Sequence, residues 1–200
     1  MSARLELLDW RRRVGELYTA VRARHPDAPQ DAHTIWRHGR DRLFGHHPQS
    51  PLPDRVGFAG LPYYDYDEAW SFAVRVDTDV EPTRDEVITS TGEPMTLERC
   101  GAVDLPVGRL DLYWIDVYGG GLFLPFRDAT SGTTTYGGGR YLLDTVKGAD
   151  LGSTADGRLV LDFNFAYHPS CRYSLSWSCP LAPPGNRLEA AVTAGERLEP

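Results

Sequence analysis

The hydrophobic period of this chain changes once, and that change bounds the folds open to it. Over residues 3–24, Leu7, Trp10, Val14, Leu17, Tyr18 and Val21 recur at three and four, which puts them on one stripe of an α-helix. His25-Pro26 ends it, because a residue before proline avoids helical backbone. Asp31 is the expected N-cap of a second helix carrying Trp36, Leu43 and Phe44, with Gly45 as its stop. HHPQSPLP must then be extended. From residue 56 onward the period is two. Trp70, Phe72, Val74 and Val76 alternate with Ser71, Ala73 and Arg75, as a half-buried strand does.

Further strands are expected over Glu86–Ser90, Met95–Cys100, Ala102–Val107, Leu110–Tyr118, Leu122–Phe126, Thr133–Leu143, Arg158–Phe165, Cys171–Trp177 and Leu188–Thr193. With 20 Gly and 15 Pro the chain favours turns and short strands over long helices. No helical pattern separates the strands, so the fold class is mainly β: an antiparallel β-barrel or sandwich with an N-terminal helical pair. We divide it into a helical segment, residues 1–47, and a β-barrel or sandwich domain, residues 48–200. A chain of 200 residues can bury enough apolar surface to fold without disulfides or metal.

Charge narrows the function classes. Residues 1–47 hold nine Arg against six Asp and Glu, a balance of +3, while the remainder carries −10. An acidic body lacks the clustered basic face that nucleic acid requires. The Arg11–Arg13 run reads as a solvated helix face. No apolar run reaches the ~20 residues that span a membrane, and Asp9 with Arg11–Arg13 stands where a signal peptide needs an apolar core. The expectation is a cytoplasmic protein with no cofactor, its partner a small molecule; a homodimer is left open.

Chemistry concentrates between Phe126 and Arg187. There, Asp128, Thr130, Thr135, Tyr136, Arg140, Asp162, Asn164, Tyr167, His168, Cys171, Cys179 and Asn186 stand among short apolar strands. On Arg158–Phe165, alternation directs Leu159, Leu161, Phe163 and Phe165 to one face, and Asp162 and Asn164 to the other. Arg140 lies on a Gly-rich strand, where a missing side chain lets a ligand or another backbone approach closely. It is either the buried partner of Asp162 or a planar fork for a carboxylate or phosphate. His168, Cys171 and Cys179 form H-x2-C-x7-C. That set could hold zinc, do thiol redox or nucleophilic work, close a disulfide, or supply two small buried side chains to a hairpin. The spacing lacks a fourth ligand, so reduced thiols without metal are expected. Gly119–Gly121 and Gly137–Gly139 are followed by no GK[ST], which argues against a phosphate loop.

FRDATSGTTTYGGGRYLL, DFNFAYHPSC, SCPLAPPGNRL and TAGER, with HPQSPLP and FAGLPYY upstream, together resemble the bacterial domain-of-unknown-function 1684 family. The pattern matches at Asp128, Thr130, Thr135, Tyr136, Arg140, Asp162, Asn164, Tyr167, Cys171, Cys179, Pro180, Asn186 and Glu196. It departs at Phe165, where the family implies Arg, and at His168, where it implies Asn. The first departure removes a charge; the second adds the only imidazole of the β segment. The resemblance brings no activity with it.

The leading reading is a polar pocket for a small anionic organic molecule. Arg140 anchors the anion, Asn164, Tyr136, Asp128 and Tyr167 bind, and His168 with Asp162 supplies acid–base chemistry beside Cys171. The alternative is a non-catalytic binding or assembly module in which the polar cluster only stabilises the fold.

Overall fold

The structure, a computed structural model, describes residues 2–199. Two helices come first, α1 (Ala3–Arg24) and α2 (Pro29–His46), and seven strands follow among the described residues. These are β1 (Ser71–Val74), β2 (Arg84–Ile88), β3 (Pro94–Leu105), β4 (Gly108–Ile115), β5 (Gly121–Phe126), β6 (Arg140–Asp144) and β7 (Leu159–Asp162). β2 to β6 make a five-stranded antiparallel meander in chain order; β1 and β7 pair antiparallel as a separate two-stranded sheet. The protein is therefore mainly β with an N-terminal helical pair, and no closed barrel is found among the described residues.

Several local expectations need correction. Asp31 does not cap α2: Ala28 stands at the N-cap and Pro29 at the first turn, where proline's fixed φ suits a helix start. Gly45 does not stop α2, which runs on to His46. The two strands expected over 95–107 are one, β3, broken by a bulge between Arg99 and Gly101. Across that bulge the buried positions of β4 pass from Leu110 and Leu112 to Tyr113 and Ile115. Residues 127–139 form a loop, so only Arg140–Asp144 of the expected strand pairs. Neither Cys171–Trp177 nor Leu188–Thr193 is a strand; the first begins in a 3-10 turn, Ser170–Arg172.

The bulge matters because the meander buries both faces. One cluster joins Tyr18, Val21, Trp36 and Phe44 of the helices to Leu97, Tyr113, Phe123 and Tyr141 of the sheet. The other joins Val103, Leu110, Leu124 and Phe126 to Leu159, Leu161 and Phe163 at the small sheet. The helical and β segments thus share one core rather than standing as appendage and body. Trp36 sits at the joint: it is fully buried, its indole N–H donates to Tyr18 Oη at 3.0 Å, and its ring packs on Tyr63 and Phe165.

His33, one turn before Trp36, is enclosed by the rings of Trp36, Tyr63, Tyr66 and Phe165 and has no hydrogen-bond partner at Nε2. Burial pushes its imidazole down to about 4, with Arg37 adding to the shift and Asp162 opposing it.

Two outcomes follow from this joint. Trp36→Ala should cost about 3–5 kcal/mol, and urea unfolding should remain one transition with the same midpoint by helix dichroism and by aromatic fluorescence. Separate midpoints would make the helices an independent unit. His33 sets a pH slope. Above pH 6.5 folded and unfolded chains both hold a neutral imidazole; as pH falls toward 4 only the unfolded chain takes up the proton. Stability is therefore lost over that window, by about 3 kcal/mol from this residue. His33→Phe should flatten the decline in urea midpoint between those pH values; an unchanged slope would show that His33 is not its source.

Candidate functional site

The polar residues between Phe126 and Arg187 divide into three buried groups and one cavity. The first is centred on Arg140. Its partner is Asp128, at 2.7 Å, and not Asp162. Asp128 opens the loop after β5. Its Oδ1 accepts from the Thr130 amide at 2.9 Å and the Thr130 hydroxyl at 2.6 Å, closing an Asx turn. Its Oδ2 accepts from Arg140 and from the Val192 amide at 3.1 Å. The guanidinium also donates to the carbonyls of Val192 (2.9 Å), Glu196 (3.3 Å) and Ala194. The close approach expected at the Gly-rich segment is to backbone: a Cβ on Gly139 would stand 2.5 Å from the Phe126 carbonyl. Arg140 is 1% exposed, and its fork is directed at protein groups. The expected anion anchor is a structural lock.

The second group is centred on Asp162. The alternation expected through Phe165 stops at Asp162, because Asp162 caps a 3-10 turn over Phe163–Phe165. Asp162 Oδ1 accepts from the Asn164 amide at 2.9 Å and its Nδ2 at 2.8 Å; Oδ2 lies 3.1 Å from His25 Nε2 at the end of α1. Asn164 in turn pairs with the backbone of Asp67, at 3.0 and 2.8 Å. The turn sends Phe163 into the core beneath the small sheet and Phe165 into the core beneath the helices. Asp162 and Asn164 are fully buried and fasten α1 to β7.

His168 belongs to the third group, so the expected His168/Asp162 pair is not formed. Its Nδ1 stands 3.6 Å from Glu196 Oε1, and its Nε2 accepts from the Tyr136 amide at 3.2 Å. That arrangement fits the neutral tautomer protonated at Nδ1. Glu196 Oε2 accepts from the His168 amide at 2.9 Å and from Arg40 at 2.6 Å; Arg40 also donates to Tyr63 Oη at 3.0 Å. Burial alone would raise the Glu196 carboxyl, but Arg40 and then His168 outweigh it and hold it below its usual range. Sequence reasoning missed Arg40. Its signal was there to read: Trp36, Arg40 and Phe44 recur every four residues, which puts a charge in an apolar stripe.

Behind His168 lies a cavity of about 280 Å³ between the helices and the segment Tyr167–Cys179. Trp10, Tyr18, Phe44, Tyr167 and Trp177 form apolar walls, and His168, Ser170, Ser178 and Cys179 add polar groups. Arg11, Arg40 and Lys147 also line it, and no Asp or Glu does. Of the expected site residues, His168 and Tyr167 reach this cavity; Arg140, Asp128, Asp162, Asn164, Tyr136 and Cys171 do not line it. A larger groove of about 780 Å³ runs between the outer faces of α1 and α2, but its polar groups answer one another, as Asp9 does with Arg13 and His47. The enclosed cavity has the convergent polar groups a small-molecule site needs. Among the described residues no three His, Cys, Asp or Glu side chains converge as a metal site.

The Arg140 lock makes a testable statement. Arg140→Met leaves the Asp128 carboxylate buried beside broken partners, and should cost about 3–5 kcal/mol by urea unfolding. Adding Asp128→Asn should recover part of the loss, whereas adding Asp162→Asn should recover none. A loss below about 1 kcal/mol would remove Arg140 from this role.

Comparison with known proteins places the chain. A family model described as "Protein of unknown function (DUF1684)" matches residues 56–197. The solution NMR structure of an uncharacterized protein of Haloarcula marismortui is similar at 37% identity and a TM-score of 0.56, over 81% of this chain and 90% of that one. No curated protein matches the chain. With the match running from the extended segment after α2 to the C-terminal strap, the chain belongs to the DUF1684 family of proteins of unknown function.

Proposed function

We propose that this protein binds a small anionic organic molecule, with an apolar or aromatic body, in the cavity between the helices and Tyr167–Cys179. The observation that carries the reading is the charge of the lining: three cations, Arg11, Arg40 and Lys147, and no carboxylate, against aromatic walls. Arg40 is matched by Glu196, so Lys147 and Arg11 are left to meet an anion. Lys147 lies 3.3 Å from Asp144 and 5.3 Å from the centre of the Tyr141 ring. Burial would lower its ammonium, but Asp144 outweighs it and keeps it charged. The anion expected from the sequence is retained, and its anchor moves from Arg140 to Lys147.

Binding is favoured over acid–base catalysis by one further observation. His168 forms part of the wall, yet its Nε2 already accepts a backbone N–H and its Nδ1 faces Glu196, so neither nitrogen is turned to the cavity as a free base. The Arg140, Asp162 and Glu196 groups hold the wall in place. Bridges from Asp77 to Ala102 and from Tyr141 to Tyr167 support reading the two sheets as a barrel left open where the helices pack.

Thermal or urea unfolding with a panel of small carboxylates and phosphates tests this. A ligand at a hundred times its dissociation constant should add about 2.7 kcal/mol to the wild type. Lys147→Met should abolish that gain while changing unliganded stability by no more than about 1 kcal/mol, since the pair is half-exposed. Absence of any anion response, or an equal response in Lys147→Met, would overturn the reading.

A further inference from the structure

Cys171 and Cys179 are both buried free thiols, on either side of a surface loop in which Leu175 is 84% exposed. Each is fixed from outside the loop. Cys171 sits in the 3-10 turn that follows Pro169. Cys179 is pinned to Ser90 in the β2–β3 turn: its amide donates to Ser90 Oγ at 3.0 Å and its carbonyl accepts the Ser90 amide at 2.9 Å. Tyr141 Oη holds the next residue, donating to the Pro180 carbonyl. The two thiols are hydrogen-bonded to each other, and Tyr136 Oη lies 4.0 Å from Cys171 Sγ. An S–S bond of about 2.05 Å therefore needs only that two sulfurs already in contact close up. Cys179 also lines the 280 Å³ cavity, on the same wall as Lys147, so a small reagent can reach it although the pair is closed to the surface.

We propose that Cys171 and Cys179 form a reversible dithiol–disulfide site, oxidised by a small hydroperoxide that enters through the cavity. The pair shares a proton. Its thiolate is favoured by the thiol–thiol hydrogen bond, which, with the Tyr136 hydroxyl and against burial, draws Cys171 down to about 6. The proton can pass along that bond, leaving the charge on Cys179, where Lys147 faces it. The Cys179 thiolate attacks the peroxide, the O–O bond breaks, and the departing alkoxide takes a proton from Lys147 or solvent. Cys179 is then a sulfenic acid. Cys171 attacks its sulfur, and the hydroxyl leaves as water with the Cys171 proton. Two thiols and one hydroperoxide become one disulfide, one alcohol and one water; a dithiol reductant restores the pair.

The test uses the full chain carrying Cys100→Ser, to leave two thiols, treated with equimolar hydrogen peroxide at neutral pH without denaturant. The expected product has lost two hydrogens by intact mass, gives a single Cys171–Cys179 linked peptide, and returns to the starting mass with dithiothreitol. Its rate should exceed that of the urea-unfolded chain by roughly tenfold. With Cys171→Ser added, oxidation should stop at a sulfenic acid on Cys179 that dimedone traps. Peptide mapping of the wild type reads the same linkage if the Cys100→Ser chain fails to fold. Independent over-oxidation of the two cysteines, or a disulfide formed only in urea, would overturn the proposal. Either result is read by mass alone, and so stands apart from whether the cavity binds an anion.

Discussion

A buried guanidinium must be surrounded by acceptors, and in this protein that requirement organises the C-terminus. Residues 192–196 form no strand, yet they lie in the core. Arg140 makes that possible by donating to the carbonyls of Val192, Ala194 and Glu196, while Asp128 balances its charge and takes the Val192 amide. Leaving those carbonyls buried without donors would cost about 1–3 kcal/mol each. The strap is held so tightly that a Cβ on Gly195, at φ +77°, would stand 2.6 Å from the carbonyls of Phe163 and Ala166.

From this strap the rest of the polar interior follows. Glu196, its last buried residue, reaches Arg40 on α2 and the His168 amide on the opposite side. One carboxylate thus ties a helix, the strap and the cavity wall. Asp162 does the same for α1 through His25. Both contacts cross between the helical pair and the β segment, and so the helices sit in register over the sheet rather than sliding on an apolar face. Apolar contact is non-directional; these charge pairs supply the direction.

The cavity is a consequence of that docking. One wall is the Tyr167–Cys179 segment, which lies within the family-matched residues, and the other is α1 and α2, which lie outside them. The polar locks at Arg140, Asp162 and Glu196 belong to the matched part. The features that would choose a ligand, Arg11 and Trp10 among them, come from the helices. Chemistry at the thiol pair draws on the matched part alone, since Cys171, Cys179, Tyr136, Ser90 and Lys147 all fall between residues 56 and 197.

Local pattern decided a good deal. The stripe from Leu7 to Val21 and the alternation from Trp70 to Val76 were legible because period and burial are set by neighbours three, four or two residues away. So was the concentration of polar groups after Phe126, since burying so many requires partners. What stayed hidden was which partner each would find. Arg140 could be paired with Asp162 on paper, but a bulge, a thirteen-residue loop over 127–139 and a 3-10 turn brought Asp128 to it instead and turned Asp162 toward α1. A bulge of one residue reverses which face a strand buries, and no residue-by-residue period carries that information. The sequence by itself therefore determined the element types, the helical and β halves and the set of residues that must be satisfied in the interior. Only tertiary structure decided the pairs among them, moved the cationic wall to Arg11, Arg40 and Lys147, and set Cys171 against Cys179, because those contacts depend on distances between segments far apart in the chain.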